Sequence, residues 1–240
     1  MPLLYSELAA WYPLLDPVED HAQEAAVYLA QLTAAAPGAR SLLELGAGAG
    51  NNAFHLKARF DCTLTDLSPE MLALSRRQNP GCEHAPGDMR TLRLGRTFDL
   101  VLAHDALSYV TTEADLRATA QTAFEHLGRG GVALFQPDTV KETFRERSEL
   151  HGGDDETRAL RALEWSWDPD PTDQQCLAEF VFVLREAGQV RTVHDRHVEG
   201  LFARATWADA LTAAGFEVLA AQDHLVEDGF TAPYFLARRP

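Results

Sequence analysis

The chain has 240 residues, of which 46% are hydrophobic and 24% charged, with a formal net charge of -15. That length and balance suit one soluble globular domain with a full core. The charge argues against a nucleic-acid partner, because duplex affinity comes mainly from Lys and Arg on phosphates, and Lys57 and Lys141 are the only lysines. An acidic chain fits a small substrate, in particular a cationic or amine-bearing one. Cys62, Cys82 and Cys176 are an odd set without C-x-x-C spacing, so reduced thiols in the cytoplasm are expected, not a disulfide framework or a zinc site. Met1 to Glu7 show no basic stretch leading into an apolar core, and no apolar run is long enough to span a bilayer, so neither a leader nor a membrane partner is expected.

In chain order, residues 18–35 carry Ala22, Ala25, Ala26, Leu29, Ala30 and Leu32 near helical spacing, ended by Pro37-Gly38. Ser41 to Leu45 is an apolar strand containing Glu44, followed by glycines at 46, 48 and 50 and a helix over Asn51 to Lys57. Glycine permits the sharp turn and a close ligand approach, and a helix N-terminus offers unpaired N–H groups. Cys62 to Asp66 is the second strand. Its terminal carboxylate stands where doubly wound folds bind ribose hydroxyls. Ser68 caps the next helix with Pro69 at its first position, and Glu70 to Arg77 continue it.

A short strand over Cys82 to Ala85 precedes Gly87-Asp88, and Phe98 to Ala103 is an apolar strand buried on both faces. Thr112 to Leu127 reads as a helix closed by Gly128, and Gly131 to Gln136 as the fifth strand. The pattern then changes: Arg161 to Asp168, Leu177 to Arg185 and Gln189 to Ala203 have period-two character between short turns. Ala205 to Ala214 returns to helix, ended by Gly215, and Phe216 to Ala221 and Tyr234 to Arg238 complete the set. The expected fold is therefore α/β: a seven-stranded, mostly parallel Rossmann-like sheet with helices on both faces. Residues 161–203 form an inserted antiparallel sheet within one domain spanning 1–240.

The glycine spacing decides which nucleoside fits. The dinucleotide fingerprint needs a small third residue, and Asn51 stands there instead. The pattern Glu-x-Gly-x-Gly-x-Gly over Glu44 to Gly50 resembles motif I of class I S-adenosylmethionine (SAM) dependent methyltransferases. The resemblance continues at Asp66-Leu67-Ser68-Pro69-Glu70-Met71-Leu72, Gly87-Asp88-Met89-Arg90, Phe98-Asp99-Leu100-Val101 and Gly130-Gly131-Val132-Ala133-Leu134-Phe135. It implies SAM as cofactor. Glu44, Gly46, Ala47, Gly48, Gly50 and Asn51 would lie at its methionine part, Asp66 and Leu67 at the ribose, and Asp88 and Met89 at the adenine, with Tyr12 and His104 close by.

The loop after the fourth strand, His104-Asp105-Ala106-Leu107-Ser108-Tyr109, is where acceptor groups belong, so Tyr109 and His104 are the candidate catalytic residues. Tyr109 could equally be a packed aromatic and His104 an indirect contact. Residues 1–36, with Tyr5, Trp11, Tyr12 and His21, would fold over the site as a lid. Leu8-Ala9-Ala10-Trp11-Tyr12 is similar to the Ala-x-x-Tyr-Asp entry of small-molecule methyltransferases, with Pro13 in place of the Asp.

The inserted segment resembles the substrate lid of amino-sugar N,N-dimethyltransferases and glycine N-methyltransferase-like enzymes. Its Trp165 and Trp167 share one strand face. His194 and Arg196 share one face, Asp195 and His197 the other, so the two histidines do not converge and no metal is expected. The resemblance implies methyl transfer to a small molecule, nitrogen somewhat favoured over oxygen, by a monomer or homodimer. A SAM-binding protein without transfer activity is the alternative. Asn51 and Glu44 weigh against a nicotinamide oxidoreductase, and the missing Asn/Asp-Pro-Pro-Tyr/Phe signature against base methylation.

Overall fold

The computed structural model describes residues 1–225 and 231–240. Two short 3-10 turns, Leu3–Tyr5 and Ala9–Trp11, lead into α1 (Tyr12–Leu15); a third, Val18–His21, leads into α2 (Ala22–Ala35). The main sheet then builds as β1 (Ser41–Leu45), α3 (Asn51–Leu56), β2 (Asp61–Asp66), α4 (Pro69–Gln78), β3 (Glu83–Pro86), β4 (Phe98–Ala103), α5 (Glu113–Glu125) and β5 (Leu127–Phe135). Four strands follow, β6 (Arg147–His151), β7 (Arg158–Trp167), β8 (Gln175–Glu186) and β9 (Gln189–Gly200). The chain closes with α6 (Arg204–Ala214), β10 (Glu217–Leu225) and β11 (Thr231–Arg238).

Seven strands pair in the order β10-β11-β5-β4-β1-β2-β3. β1 to β5 are mutually parallel, and β11 runs antiparallel to both β5 and β10. Alternation along the central strands divides the core. Leu42, Leu100, Leu102, Val132 and Leu134 face α2 and α3, where Tyr28, Leu32, Ala53 and Leu56 are buried. Leu43, Val101, Ala103, Ala133 and Phe135 face α5 and α6, where Leu116, Ala120, Trp207 and Leu211 are buried. The order reverses between β1 and β4, and a ligand crevice opens at the carboxyl ends of such neighbours.

Several sequence boundaries shift. The helix expected to reach Leu127 and close on Gly128 ends at Glu125, because β5 starts at Leu127, opposite Phe98, and Gly130 and Gly131 pair with Arg239. The helix expected from residue 18 begins with the 3-10 turn instead. The inserted sheet has four strands, β6-β7-β8-β9, not three. β6 was invisible because it has no buried face: its one aliphatic residue, Leu150, is 85% exposed. At the other end β9 stops at Gly200, since Leu201 and Phe202 leave the sheet to enter the core.

The inner face of the four-stranded sheet does not stand free. Leu160, Ala162, Ala178, Phe180, Phe182 and Leu184 pack against Leu4, Leu8 and Trp11 of the N-terminal segment. The Leu4 N–H donates to Asp195 Oδ2 at 2.9 Å, and Arg158 donates to the Ala10 carbonyl. Ser68, which caps α4 by accepting from the Met71 N–H, donates to the Tyr5 carbonyl at 2.6 Å. The N-terminal segment is thereby held between the inserted sheet and the carboxyl end of β2.

Candidate functional site

A cleft of about 370 Å³ lies over the carboxyl ends of β1, β2 and β4, roofed by the N-terminal segment. Its lining includes Tyr12, Glu44, Gly46, Ala47, Gly48, Asn51, Asp66, Leu67, Asp88, Met89, His104 and Tyr109, all expected from the sequence. Gly50 is the exception, standing behind the turn. Its φ of 76° is left-handed, the Asn79 amide nitrogen donates to its carbonyl, and Asn79 and Ser75 of α4 fill the space a Cβ would need. Gly46 is required for a different approach: a Cβ there would strike Ala106, in the turn after β4.

The glycine turn braces the sheet more than it presents open amides. The N–H groups of Gly46 and Ala47 donate to the Thr65 carbonyl. That of Gly48 donates to Asp66 Oδ2 at 2.8 Å, while the Ser68 N–H donates to Asp66 Oδ1 at 2.8 Å. Burial raises the Asp66 pKa against these N–H bonds. Both Asp66 oxygens keep further lone pairs, so ribose hydroxyls can still be accepted. Asp88 is more committed: both its oxygens accept from the Arg90 guanidinium, at 2.6 to 3.1 Å, which holds its pKa below the usual carboxylate range.

Glu44 is different in kind. It is 3% exposed, and its Oε2 has no hydrogen-bond partner. Burial pushes its pKa up to about 8, with His104 and His21 working in the other direction. A buried carboxyl oxygen left unmatched on the wall of a cleft is the position a ligand ammonium would satisfy. Near it are two histidines the fold keeps charged. Burial disfavours charge on His21, but Asp16 and Glu24 raise its pKa to about 10. Burial opposes His104 likewise, and its ion pairs with Asp105 at 2.8 Å and Glu24 at 3.0 Å overcome it. His104 is thus locked among carboxylates and is no free base.

At the outer end Tyr5 and Tyr109 face the cleft, their hydroxyls 2.8 Å apart. The Tyr109 hydroxyl also lies 2.8 Å from His197 Nδ1, and His197 Nε2 lies 3.1 Å from Asp195 Oδ2. Asp138 accepts from the Ser108 hydroxyl at 2.8 Å and lies against Asp105. Desolvation and the Asp105 charge raise its pKa well above the ordinary value. Burial and the Glu164 charge push Glu199 up to about 7. Of these carboxyl groups Asp105 lines the cleft, and Asp138 and Glu199 stand behind it near Tyr5 and Tyr109. Sequence reasoning missed Tyr5 as part of this network, and it missed Asp138 and Glu199; no local spacing links residues 5, 109, 138 and 199.

The inserted strands separate their sequence candidates. His197 is buried on the inner face, whereas His194 is exposed and paired with Glu179. Trp165 and Trp167 stack with ring centroids 5.6 Å apart; Trp165 is 42% exposed and donates to Glu146, away from the cleft. No ligand spacing shows in the sequence among its cysteines, histidines and carboxylates. The structure instead brings Glu149, His151 and Glu164 together, with ligand atoms within 4.8 Å of one another. β6 had to be a strand for this to be seen, since Glu149 sits directly opposite Glu164. Arg147 bonds Glu149 at 3.0 Å and His151 bonds Glu164 at 3.1 Å, so side-chain cations already balance these carboxylates.

No helix among the described residues is long and apolar enough to cross a membrane. Comparison with known proteins matches residues 42–131 to a family described as "Methyltransferase domain". A dTDP-3-amino-3,4,6-trideoxy-alpha-D-glucopyranose N,N-dimethyltransferase of Streptomyces venezuelae is 32% identical over 206 residues, covering 83% of this chain and 85% of that protein. The SAM-bound structure of CalS10, an amino pentose methyltransferase from Micromonospora echinaspora, superposes with a TM-score of 0.77 at 29% identity, covering 91% of each chain. The sugar N-methyltransferase KedS8 from Streptoalloteichus superposes with a TM-score of 0.80 at 28% identity, covering 93% of this chain and 89% of that one.

Proposed function

The chain belongs to the class I SAM-dependent methyltransferases and carries out N-methyl transfer to a small-molecule acceptor; from that premise we propose that the acceptor is an aliphatic amine borne on a sugar ring. The observation that carries the reading is the acidic outer end of the cleft. Asp105 lines the cleft there, Asp138 and Glu199 stand behind it near Tyr5 and Tyr109, and an arriving ammonium would favour the ionised form of both, which suits an amine arriving as a cation. The relatives' acceptors support the sugar part. The cytoplasm is its compartment in this reading, in keeping with three free cysteines.

SAM, when bound, supplies an electrophilic methyl group on a sulfonium. The protein's residues supply the rest. Glu44 would accept from the α-ammonium, His21 would face the α-carboxylate, and Asp66 would accept from the ribose hydroxyls. Met89 and Leu67 would border the adenosine. The unmatched Glu44 oxygen is the feature of the cleft that fits this assignment. Tyr12, which donates to Asp16 at 2.6 Å, would cover the cofactor. Methyl transfer asks chiefly for in-line positioning and exclusion of water. The N-terminal segment and the inserted sheet, sharing one buried core, would act as the lid that provides both.

The test is a transfer assay reading out S-adenosylhomocysteine (SAH), with dTDP-amino sugars, free amino sugars, phenols and carboxylic acids as acceptors. Turnover confined to amino sugars is expected. Turnover only with phenols or carboxylic acids would overturn the reading.

A further inference from the structure

Four side chains from three separate elements form a continuous hydrogen-bonded line from the cleft into the protein: Tyr5, Tyr109, His197 and Asp195. Directions along it follow from the inner end. Asp195 is a carboxylate partner for His197 Nε2 and accepts there, so Nε2 carries the imidazole hydrogen. In the neutral ring Nδ1 is then an acceptor, and the Tyr109 hydroxyl, 2.8 Å away, donates to it. Tyr109 has spent its only hydrogen, so its oxygen accepts from Tyr5. The Tyr5 oxygen is left with lone pairs and no hydrogen directed at the cleft it lines.

We propose that Tyr5 is a catalytic residue that takes the proton from the acceptor's ammonium, and that Tyr109 and His197 act through it as a relay ending at the His197–Asp195 pair. The inference rests on the amine-acceptor reading above. An amine attacks only through its lone pair, so an ammonium must first lose a proton. The acceptor N–H bond breaks, its electron pair stays on nitrogen, and the proton goes to the Tyr5 oxygen. Tyr5 passes its own hydrogen to Tyr109, and Tyr109 passes its own to His197 Nδ1. Both tyrosines end neutral and the charge rests on an imidazolium held by Asp195. The proton returns by the same route to water when product leaves.

His197 is suited to this end of the line. It is 1% exposed and cannot touch an acceptor, which makes it a positioning residue. It is faced by Asp195 on its own strand, Glu164 on β7, the Phe180 ring on β8 at 4.6 Å, Tyr109 from the turn after β4 and Tyr5 from the N-terminal segment. Burial lowers its pKa, with Asp195 and Glu164 opposing, so it waits as a neutral acceptor. Burial keeps Tyr5 and Tyr109 protonated, as conduits must be. Of the other groups at this end, Asp105 is paired with His104 and Asp138 with Ser108, and Glu199 faces both tyrosines without lining the cleft.

The test is 15N NMR of histidine-labelled, SAH-bound protein, with the His197 signals assigned through His197→Gln. A neutral ring protonated at Nε2 is expected, and Tyr109→Phe should raise its pKa by removing the donor to Nδ1. A ring protonated at Nδ1, or one whose titration ignores Tyr109→Phe, overturns the relay whatever the acceptor is. In turnover with dTDP-3-amino-3,4,6-trideoxyglucose, Tyr5→Phe should lower kcat at least about tenfold, at the low end for lost proton transfer. KM and SAH affinity should stay within about threefold, and the remaining rate should climb with pH as the free amine fraction, in place of His197, sets the profile. Unchanged kcat with an unchanged profile overturns the proposal. If wild-type protein leaves this sugar nucleotide unmethylated, it is the sugar-amine reading that fails, and the NMR result alone decides the relay.

Discussion

The backbone N–H of Leu4 donates to the Asp195 carboxylate at 2.9 Å, across 191 residues of sequence, and both partners are buried. A single carboxylate therefore fastens the N-terminal segment to the inserted sheet while also orienting His197. Removing it leaves a buried N–H and a buried imidazole N–H unmatched, each costing roughly 1–3 kcal/mol. Asp195→Ala should lower stability by about 2–6 kcal/mol and expose residues 1–11 to proteolysis in the native protein. Limited proteolysis followed by mass spectrometry checks this; wild-type resistance in a folded variant would show that the latch is unimportant.

Glu44 carries a pH dependence whose sign can be worked out. Its pKa in the protein is about 8, above the ordinary 4.5, so at pH 7 it is mostly protonated. An ammonium placed at its oxygen favours the ionised form, so SAH binding expels a proton. The complex holds fewer protons than the free protein, and affinity therefore rises with pH, at most tenfold per unit, and levels off above about 8. Calorimetry at pH 7 in buffers of differing ionisation enthalpy should report nearly one proton released. Glu44→Gln should abolish the release; an unchanged proton count in that variant would assign the release elsewhere.

Asp66 holds the glycine turn and, in the proposed reading, would accept from the ribose hydroxyls. Charge-assisted hydrogen bonds contribute roughly 1.5–3 kcal/mol each. Asp66→Ala should weaken SAH binding at least about tenfold, and calorimetry on folded variant measures it. Retained affinity would remove Asp66 from the cofactor site.

Much of this organisation was legible because it is local. Glu44 to Gly50, Asp66 and Gly87 to Met89 each report a strand ending in a turn, and their order specifies the parallel strands and one wall of the cleft. At the outer end Tyr109 and the covering Tyr5 were legible, but the network that joins them was not. Tyr5, Tyr109, Asp138 and His197 come from four parts of the chain and meet only after the inserted sheet folds back on the N-terminal segment. β6 escaped notice for a related reason: Arg147 to His151 bury no apolar side chain, so no hydrophobic period marks the strand.

The carboxylate and histidine cluster on β6 and β7 makes chelation a useful discriminator. Glu149 and Glu164 are directly opposed, an arrangement that repels. Arg147 and His151 already compensate it, and the pKa of His151 is raised through its bond to Glu164 against the effect of burial. Methyl transfer should therefore persist in EDTA at its full rate. Loss of activity restored by magnesium would show that this cluster, or the acidic cleft end, works with a metal.

The two faces of the inserted sheet should separate cleanly in kinetics. Trp165 projects outward and contributes its stack on Trp167 and its bond to Glu146, whereas His197 projects inward to Tyr109. The stack is worth about 0.5–1.5 kcal/mol of stability. Trp165→Ala should lower the melting temperature slightly while leaving SAH affinity, KM and kcat within about threefold, under about 1 kcal/mol. His197→Gln should leave SAH affinity equally unchanged yet reduce kcat, since it lies beyond the cofactor contacts and acts on the acceptor side. Loss of SAH binding in a folded variant at either position would mean that the sheet belongs to the cofactor site. Equal kinetic damage from both would mean that face orientation is irrelevant and that the sheet acts only through its overall stability.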